Sequence, residues 1–441
     1  MPKLFPCPVP ASLLLIGLAV CGAACSEPAM GGGSGGATGT GSGGAPSTGS
    51  GGASAAVPVM KDPSTYPHNT AGATFPFPQG QAQARCPLPA YNTDTVAKAY
   101  SNWKAKFYQG GRVIRPAGEP GGDTRYPNDT VSEGIAYGML IGVYMNDRPM
   151  FDALWSYAKS KRDGNGFMNW RIDQSGNVVQ PGGGATDADE DMAWALLMAD
   201  KQWTGGTYLA EATTLINAIW DKEVDQGGGH VLKPGGNFGG ANLTNPSYFA
   251  PSYYRQFAKV TPAHNWMAVV ESSYTILGKA SGSLGLVPNW TNSNGAAVNG
   301  PNNDPNVDHH YGYDACRTPW RIALDYCENG EPRAKAYLDK ITAFFAGQSS
   351  LKDGYTVTGA NPTGTLGDYV AGTAIYGPAA VAAMGSSAAG KDAFLTQAQG
   401  IMEQATTGST MGISGVFTYY NGSWGVLGLI TTSGNFWNMA R

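Results

Sequence analysis

The chain is poor in charge and in histidine. Of its 441 residues, 28 are basic and 32 acidic, together 14%, and 5 are His. Ordinary globular domains carry about 25% charged residues. The balance is -4 at pH 7. Such a sequence cannot build a broad cationic surface, which excludes a phosphate-neutralising nucleic-acid binder. No stretch approaches ~20 consecutive apolar residues, so a multi-spanning membrane protein is excluded too. The Gly-rich tract near the N-terminus lacks the Lys of a phosphate-binding loop. What is abundant is Gly (63) and aromatic residues (11 Trp, 22 Tyr, 14 Phe), and hydrophobic residues reach 42%. A large core is available and global disorder is excluded.

The N-terminus reads as an export signal. Lys3 precedes the apolar run Ala11–Val20, too short to span a bilayer. Leu18-Ala-Val-Cys21 and Gly22-Ala-Ala-Cys25 both place small residues before a cysteine, a pattern similar to a bacterial lipobox. Residues 1–25 are therefore expected to be a lipoprotein-type signal peptide. The product is expected at the outer membrane or cell surface, or freely secreted. Residues 26–57 are rich in Gly, Ser, Thr and Ala and read as a flexible linker. Residues 58–441 remain, with no second linker, and are expected to form one domain and to act as a monomer.

Cys86, Cys316 and Cys327 are the cysteines of that domain. A helix started by Pro319 would hold Cys316 and Cys327 ~12 Å apart, beyond disulfide reach. Cys86 could pair with either.

From about residue 92 apolar positions recur at helical spacing. The spacing predicts helices at 96–107, 134–144, 150–158, 192–203, 208–220 and 249–258. Six more follow at 266–277, 320–326, 334–345, 370–384, 391–403 and 424–429. Long loops separate some of them, notably 163–187, 224–248 and 285–313, and long ordered loops tend to carry function. Twelve helices suggest an all-α fold, six helical hairpins closed into an (α/α)6 ring with a cleft formed by loops at one end.

Three acidic constellations precede helices. Glu133 follows Ser132, a candidate N-cap, and leads into small and apolar residues. Asp187, Asp189, Glu190 and Asp191 crowd four carboxyls into five positions. An EF-hand fails there, because Met192 and Met198 fall where Gly and Glu are required. Asp314 lies in the loop before Pro319, with Arg317 between them. His309 and His310 lack the spacing of a zinc site, so no metal and no cofactor are expected. Carboxyls from separate loops, meeting in a cleft lined by Trp and Tyr, are the equipment for glycoside hydrolysis.

Four motifs give this reading a family. They are Ser132-Glu-Gly-Ile-Ala-Tyr-Gly-Met139, Ala185-Thr-Asp-Ala-Asp-Glu-Asp-Met-Ala193, Ser247-Tyr-Phe-Ala-Pro-Ser-Tyr-Tyr-Arg255 and Tyr313-Asp-Ala-Cys-Arg317. Together they resemble the family 8 glycoside hydrolases over roughly residues 85–440. The resemblance implies an (α/α)6 barrel and an inverting, endo-acting cleavage of β-1,4-glucan, with endo-β-1,4-xylanase as the alternative. It implies Glu133 as general acid, Asp314 as general base and Asp187 as the carboxylate binding sugar at the cleavage point. Tyr313 and Arg317 would orient the base. Trp170, Tyr253, Tyr254 and Trp290 are candidate sugar platforms, with core packing as their other reading. Two further readings remain: a non-catalytic polysaccharide-binding lipoprotein, and a magnesium–diphosphate site on the Asp cluster.

Overall fold

The computed structural model describes residues 60–119, 123–301, 303–362, 366–367, 369–408 and 418–441. The expected signal peptide, both candidate lipid-bearing cysteines and the linker lie outside the described residues.

Among the described residues, the helices sort into two layers by how many sides they bury. The outer layer comprises α1 (Thr93–Phe107), α3 (Arg148–Ser160), α5 (Tyr208–Glu223), α7 (Trp266–Ala280), α10 (Pro332–Ala346) and α12 (Lys391–Thr407). Each buries mainly one stripe, the pattern of a helix with one face in water. The inner layer comprises α2 (Ser132–Tyr144), α4 (Thr186–Gln202), α6 (Pro251–Val260), α9 (Thr318–Asn329), α11 (Thr373–Gly385) and α13 (Tyr419–Thr432). In α2, α11 and α13 nearly every side chain is buried, so these segments had to lie inside. A short α8 (Pro305–Asp308) sits within the long loop 285–313.

Each inner helix packs on an outer one: α2 on α3, α4 on α5, α6 on α7, α9 on α10, α11 on α12 and α13 on α1. The inner ring runs α2, α4, α6, α9, α11, α13 and back to α2. Side chains close its α4–α6 side. Trp194 stacks on Tyr253 with ring centroids 4.2 Å apart, and the Tyr254 hydroxyl donates to Glu190 at 3.0 Å. The result is an (α/α)6 barrel, and each of the twelve expected helices is present in it.

Some boundaries differ from expectation, for local reasons. Ser132 is the first residue of α2 rather than its cap; Val131 occupies the cap position, with no side-chain cap bond. Helix α6 starts at Pro251 rather than 249, because proline suits a first helical turn, and Tyr248 ends a separate 3-10 turn, Pro246–Tyr248. Helix α13 begins five residues before the expected start, through Gly422, Gly425 and Gly428, which dilute the apolar pattern. Those glycines serve packing. A Cβ on Gly428 would lie 2.4 Å from the Met402 sulfur, and one on Gly377 would lie 2.5 Å from the Trp424 carbonyl. Helices α11 and α13 approach too closely for side chains there.

Two covalent and hydrogen-bonded ties hold the loops. Strand β3 (Thr130–Val131), which follows the short antiparallel pair β1 (Tyr108–Gln109) and β2 (Arg112–Val113), pairs antiparallel with β4 (Arg171–Ile172), joining the segment before α2 to the 163–187 loop. Cys86 bonds to Cys327, and Cys316 is free and buried. The disulfide joins residues 241 positions apart. In a chain-entropy account, closing so long a loop stabilises by about 5 kcal/mol. Replacing both cysteines by serine should therefore lower the melting temperature of a chain that still folds. Adding reductant should lower it in the wild type and leave the variant unchanged. Equal melting of the wild type with and without reductant would remove the disulfide from this account.

Candidate active site

Three inner helices and the turns before them deliver carboxyls to one end of the barrel. Glu133 is the second residue of α2, and Asp187 the second residue of α4. Asp314 precedes a single 3-10 turn, Ala315–Arg317, that runs into α9. A guanidinium joins them. Arg317 Nη1 donates to Glu133 at 2.7 Å and to Asp187 at 2.5 Å, and Nη2 donates to Asp314 at 2.8 Å. The guanidinium fork is rigid and planar, so the two bonded oxygens of Glu133 and Asp314 lie no more than about 8 Å apart. Arg317 and Asp187 are almost fully buried, whereas the Glu133 and Asp314 side chains keep 21% and 33% exposure toward the cleft.

The remaining polar atoms are fixed by neighbours. The Tyr419 hydroxyl donates to Glu133 Oε1 at 3.1 Å. Asn245 Nδ2 donates to Asp314 at 3.2 Å, while its own oxygen accepts from the Ser247 backbone and hydroxyl. Tyr248 lies face-on to Arg317, 5.1 Å from guanidinium carbon to ring centre. The cleft has a volume of about 530 Å³ and is open to solvent. Glu133, Asp187, Asp314, Arg317, Trp170, Tyr313, Tyr248, Tyr419 and Tyr420 all line it.

Burial raises both cleft-facing acids, and the same guanidinium pulls both down. Burial pushes the Glu133 carboxyl up to about 7; Arg317 opposes this and anionic Asp187 adds to it. Burial also raises Asp314, against the pull of Arg317 and the Asn245 amide. The site thus holds Glu133 poised to keep its proton near neutral pH, although it shares the permanent positive charge of Arg317 with Asp314.

Arginines take three of the four crowded acids of α4. Asp187 takes Arg317. One turn on along α9, Arg321 donates to Asp191 at 2.8 and 3.0 Å and lies 3.2 Å from Glu190. It also donates to the carbonyls of Ser247 and Asp187. Asp189 lies against Glu223 in the interior, where burial raises both carboxyls, Glu223 to about 8.

The structure brings together Glu133, Asp187, Asp314, Arg317, Tyr313 and Trp170, and leaves out three of the expected platforms. Tyr253 and Tyr254 are 1% and 0% exposed. They belong to inner helix α6 and stack on Trp194 and Trp266 in the core. Trp290 is 6% exposed and packs edge-on behind Tyr248, with Gly300 against its ring. None of the three lines the cleft. Sequence reasoning overlooked Tyr248, Tyr419, Tyr420 and Asn245. For Tyr248 the available signal was Pro251, which starts α6 and leaves Tyr248 outside the helix.

Arg317 neutralises charge that burial would otherwise forbid. Removing one partner of a buried ionic cluster typically costs about 3–5 kcal/mol. In Arg317→Gln the Glu133 and Asp314 carboxyls, which Arg317 draws down, should titrate at still higher pH in the folded state. A raised folded pKa contributes stability below the unfolded value and loses it as pH rises through the folded value. The melting-temperature deficit of Arg317→Gln should therefore grow from pH 5 to pH 8. A deficit independent of pH would contradict the cluster.

Comparisons with known proteins agree with this architecture. The family described as glycosyl hydrolases family 8 matches residues 82–434. Endoglucanase 2 of Ruminiclostridium josui is 38% identical over 406 residues, covering 88% of this chain and 80% of that protein. Endoglucanase A of Acetivibrio thermocellus is 39% identical over 363 residues, covering 78% and 70%. The structure of a β-1,3-1,4-glucanase from Paenibacillus sp. X4 superposes with a TM-score of 0.70 at 29% identity, covering 82% of this chain and 99% of that one. A cold-adapted family 8 xylanase shares the fold, with a TM-score of 0.64 at 24% identity over 78% and 91%. On the length and continuity of these matches, the chain belongs to family 8 of the glycosyl hydrolases.

Proposed function

We propose that the protein is an inverting endo-β-1,4-glucanase in which Glu133 is the general acid and Asp314 the general base. The observation that carries this reading is the pair of cleft-facing carboxyls held on adjacent nitrogens of Arg317. Inverting enzymes need their two carboxyls ~6.5–9.5 Å apart, so that a water fits between base and sugar. The Arg317 fork sets an upper limit compatible with that spacing. Glu133, raised to about 7, carries the proton that the glycosidic oxygen needs as the bond breaks. Asp314 takes a proton from a water attacking the anomeric carbon from the opposite face. The product is then the α-anomer. Asp187, immobilised by Arg317, is placed to hold a sugar hydroxyl at the cleavage point and favour a distorted ring.

Trp170 and Tyr313 supply aromatic surface for sugar rings. The Trp170 indole N–H is bonded to the Pro181 carbonyl, which fixes its plane. Tyr313 is 40% exposed. An open groove, rather than an enclosed pocket, suits cleavage within a chain. The relatives named endoglucanase support glucan as substrate.

The export reading belongs to the same proposal. A lipid on Cys21 or Cys25, followed by the 26–57 linker, would hold the barrel away from a membrane surface. No described helix is long and apolar enough to cross a membrane. Action as a monomer is part of the same proposal. The lipid is tested by detergent-phase partition of the full chain against a Cys21→Ser, Cys25→Ser double variant. Loss of partition in the variant is expected, and aqueous behaviour of both would favour free secretion.

Activity is tested by reducing-sugar release from carboxymethylcellulose, mixed-linkage β-glucan and xylan. Hydrolysis of the glucans is expected, with a loss of about 10³-fold or more in Glu133→Gln and Asp314→Asn. Activity on xylan alone would keep the mechanism and change the substrate. No hydrolysis of any of them would leave a binding protein.

A further inference from the structure

The first turn of α13 touches both halves of the reaction centre. The Tyr419 hydroxyl donates to Glu133, and the Tyr420 hydroxyl donates to the backbone carbonyl of Tyr313 at 2.6 Å, the residue before Asp314. The Tyr419 ring lies close over Gly134, where a Cβ would stand only 3.0 Å from it. Any shift of this turn therefore moves a hydroxyl relative to the acid and the loop that carries the base.

The turn is fixed by a residue of another cleft-lining segment. Glu119, in the cleft-lining segment after β2 (Arg112–Val113), accepts the Tyr419 backbone N–H on both carboxylate oxygens, at 2.9 and 3.0 Å. That N–H is one of the donors a helix start leaves without an internal partner. A negative charge there is favoured by the helix dipole. The Glu119 side chain is 12% exposed, and Lys106 of α1 lies 3.9 Å away.

We propose that Glu119 is a positioning residue, which seats the first turn of α13 so that the Tyr419 hydroxyl meets Glu133 and the Tyr420 hydroxyl meets the Asp314 loop. The inference rests on the acid and base roles proposed above. It assigns Glu119 no contact with the reacting atoms; its influence passes through Tyr419.

The consequence is visible in the pH profile. Glu133 faces Arg317, Asp187 and Asp314 from the α9 and α4 ends, Tyr419 and Tyr420 from α13, Tyr137 on its own helix, and Arg115, Tyr248 and Cys316 from the surrounding turns. The Tyr419 hydroxyl stabilises the Glu133 anion, so loosening it lets the acid keep its proton to higher pH. Glu119 itself faces Lys106, Arg115 and the Tyr419 N–H; burial raises its carboxyl and all three draw it down.

The experiment compares wild type, Glu119→Gln, Tyr419→Phe and the double variant on mixed-linkage β-glucan, with kcat and KM measured across pH. Glu119→Gln should lower kcat on the order of tenfold while KM stays within about twofold. Its alkaline limb should move to higher pH, in the same direction as that of Tyr419→Phe. The double variant should lose less than the product of the two single losses, because Glu119 acts on Glu133 through the Tyr419 hydroxyl that the second change removes. Glu119→Asp keeps the charge and withdraws it by a methylene. It should show the same shift in milder form, and serves where the Gln variant folds poorly. A folded Glu119 variant with wild-type kcat and pH profile, or losses that multiply in the double variant, would overturn the inference. If wild type hydrolyses neither glucan nor xylan, the proposed function fails first and the inference falls with it. An active wild type with an unaffected Glu119→Gln defeats the inference alone.

Discussion

One guanidinium carries the reaction centre. Arg317 accepts no hydrogen bond and cannot lose its charge, so it can bridge three acids that would otherwise repel one another in a low-dielectric site. Three helices enter with their N-terminal ends toward it or toward the turn that carries it. Without that cation the carboxyls of Glu133, Asp187 and Asp314 could not share a site as charged groups, and with it only part of their mutual repulsion remains. The remainder has a use. Asp187 beside Glu133 offsets some of the pull of Arg317, and burial does the rest, leaving Glu133 near 7. A helix N-terminus alone would lower a carboxyl, so the acid works despite its position, by burial and a neighbouring anion.

Arg321 repeats the device one turn deeper. It binds Asp191 with two nitrogens, approaches Glu190, and reaches the carbonyls of Asp187 and Ser247. The two arginines, four residues apart, lie on one side of α9 and clamp the first turn of α4. The upper one faces the cleft and is shared with the reacting acids, whereas the lower one is wholly interior. Rigid supports of this kind matter because acid–base catalysis depends on fixed separations. They also explain why a stretch of four carboxyls in five residues begins an apolar helix rather than a solvated loop.

Much of this was legible in the sequence, and for identifiable reasons. The helices announced themselves by their apolar residues, which run round every side of α2, α11 and α13 and form a stripe on the outer helices. Glu133, Asp187 and Asp314 stood out because each precedes a helix among residues that offer no other use for a charge. The platforms were harder. Tyr253 and Tyr254 lie in the same motif as Tyr248, and composition cannot tell a helix-borne aromatic in the core from one in the loop above it. Only the start of α6 at Pro251 separates them. The tyrosines of α13 were hidden by glycines that break the apolar pattern while permitting close packing on α11. Glu119 was invisible, because its partner is a backbone N–H about three hundred residues away.

The central claim is that Glu133 keeps its proton near neutral pH while Arg317 sits beside it. A direct measurement is the pH titration of the Glu133 carboxyl by 13C NMR or difference infrared spectroscopy, assigned by comparison with Glu133→Gln. The account predicts a carboxyl signal that titrates near 7. A Glu133 carboxyl that ionises near the ordinary glutamate value of about 4.3 would contradict it, because no proton would then be in place to deliver.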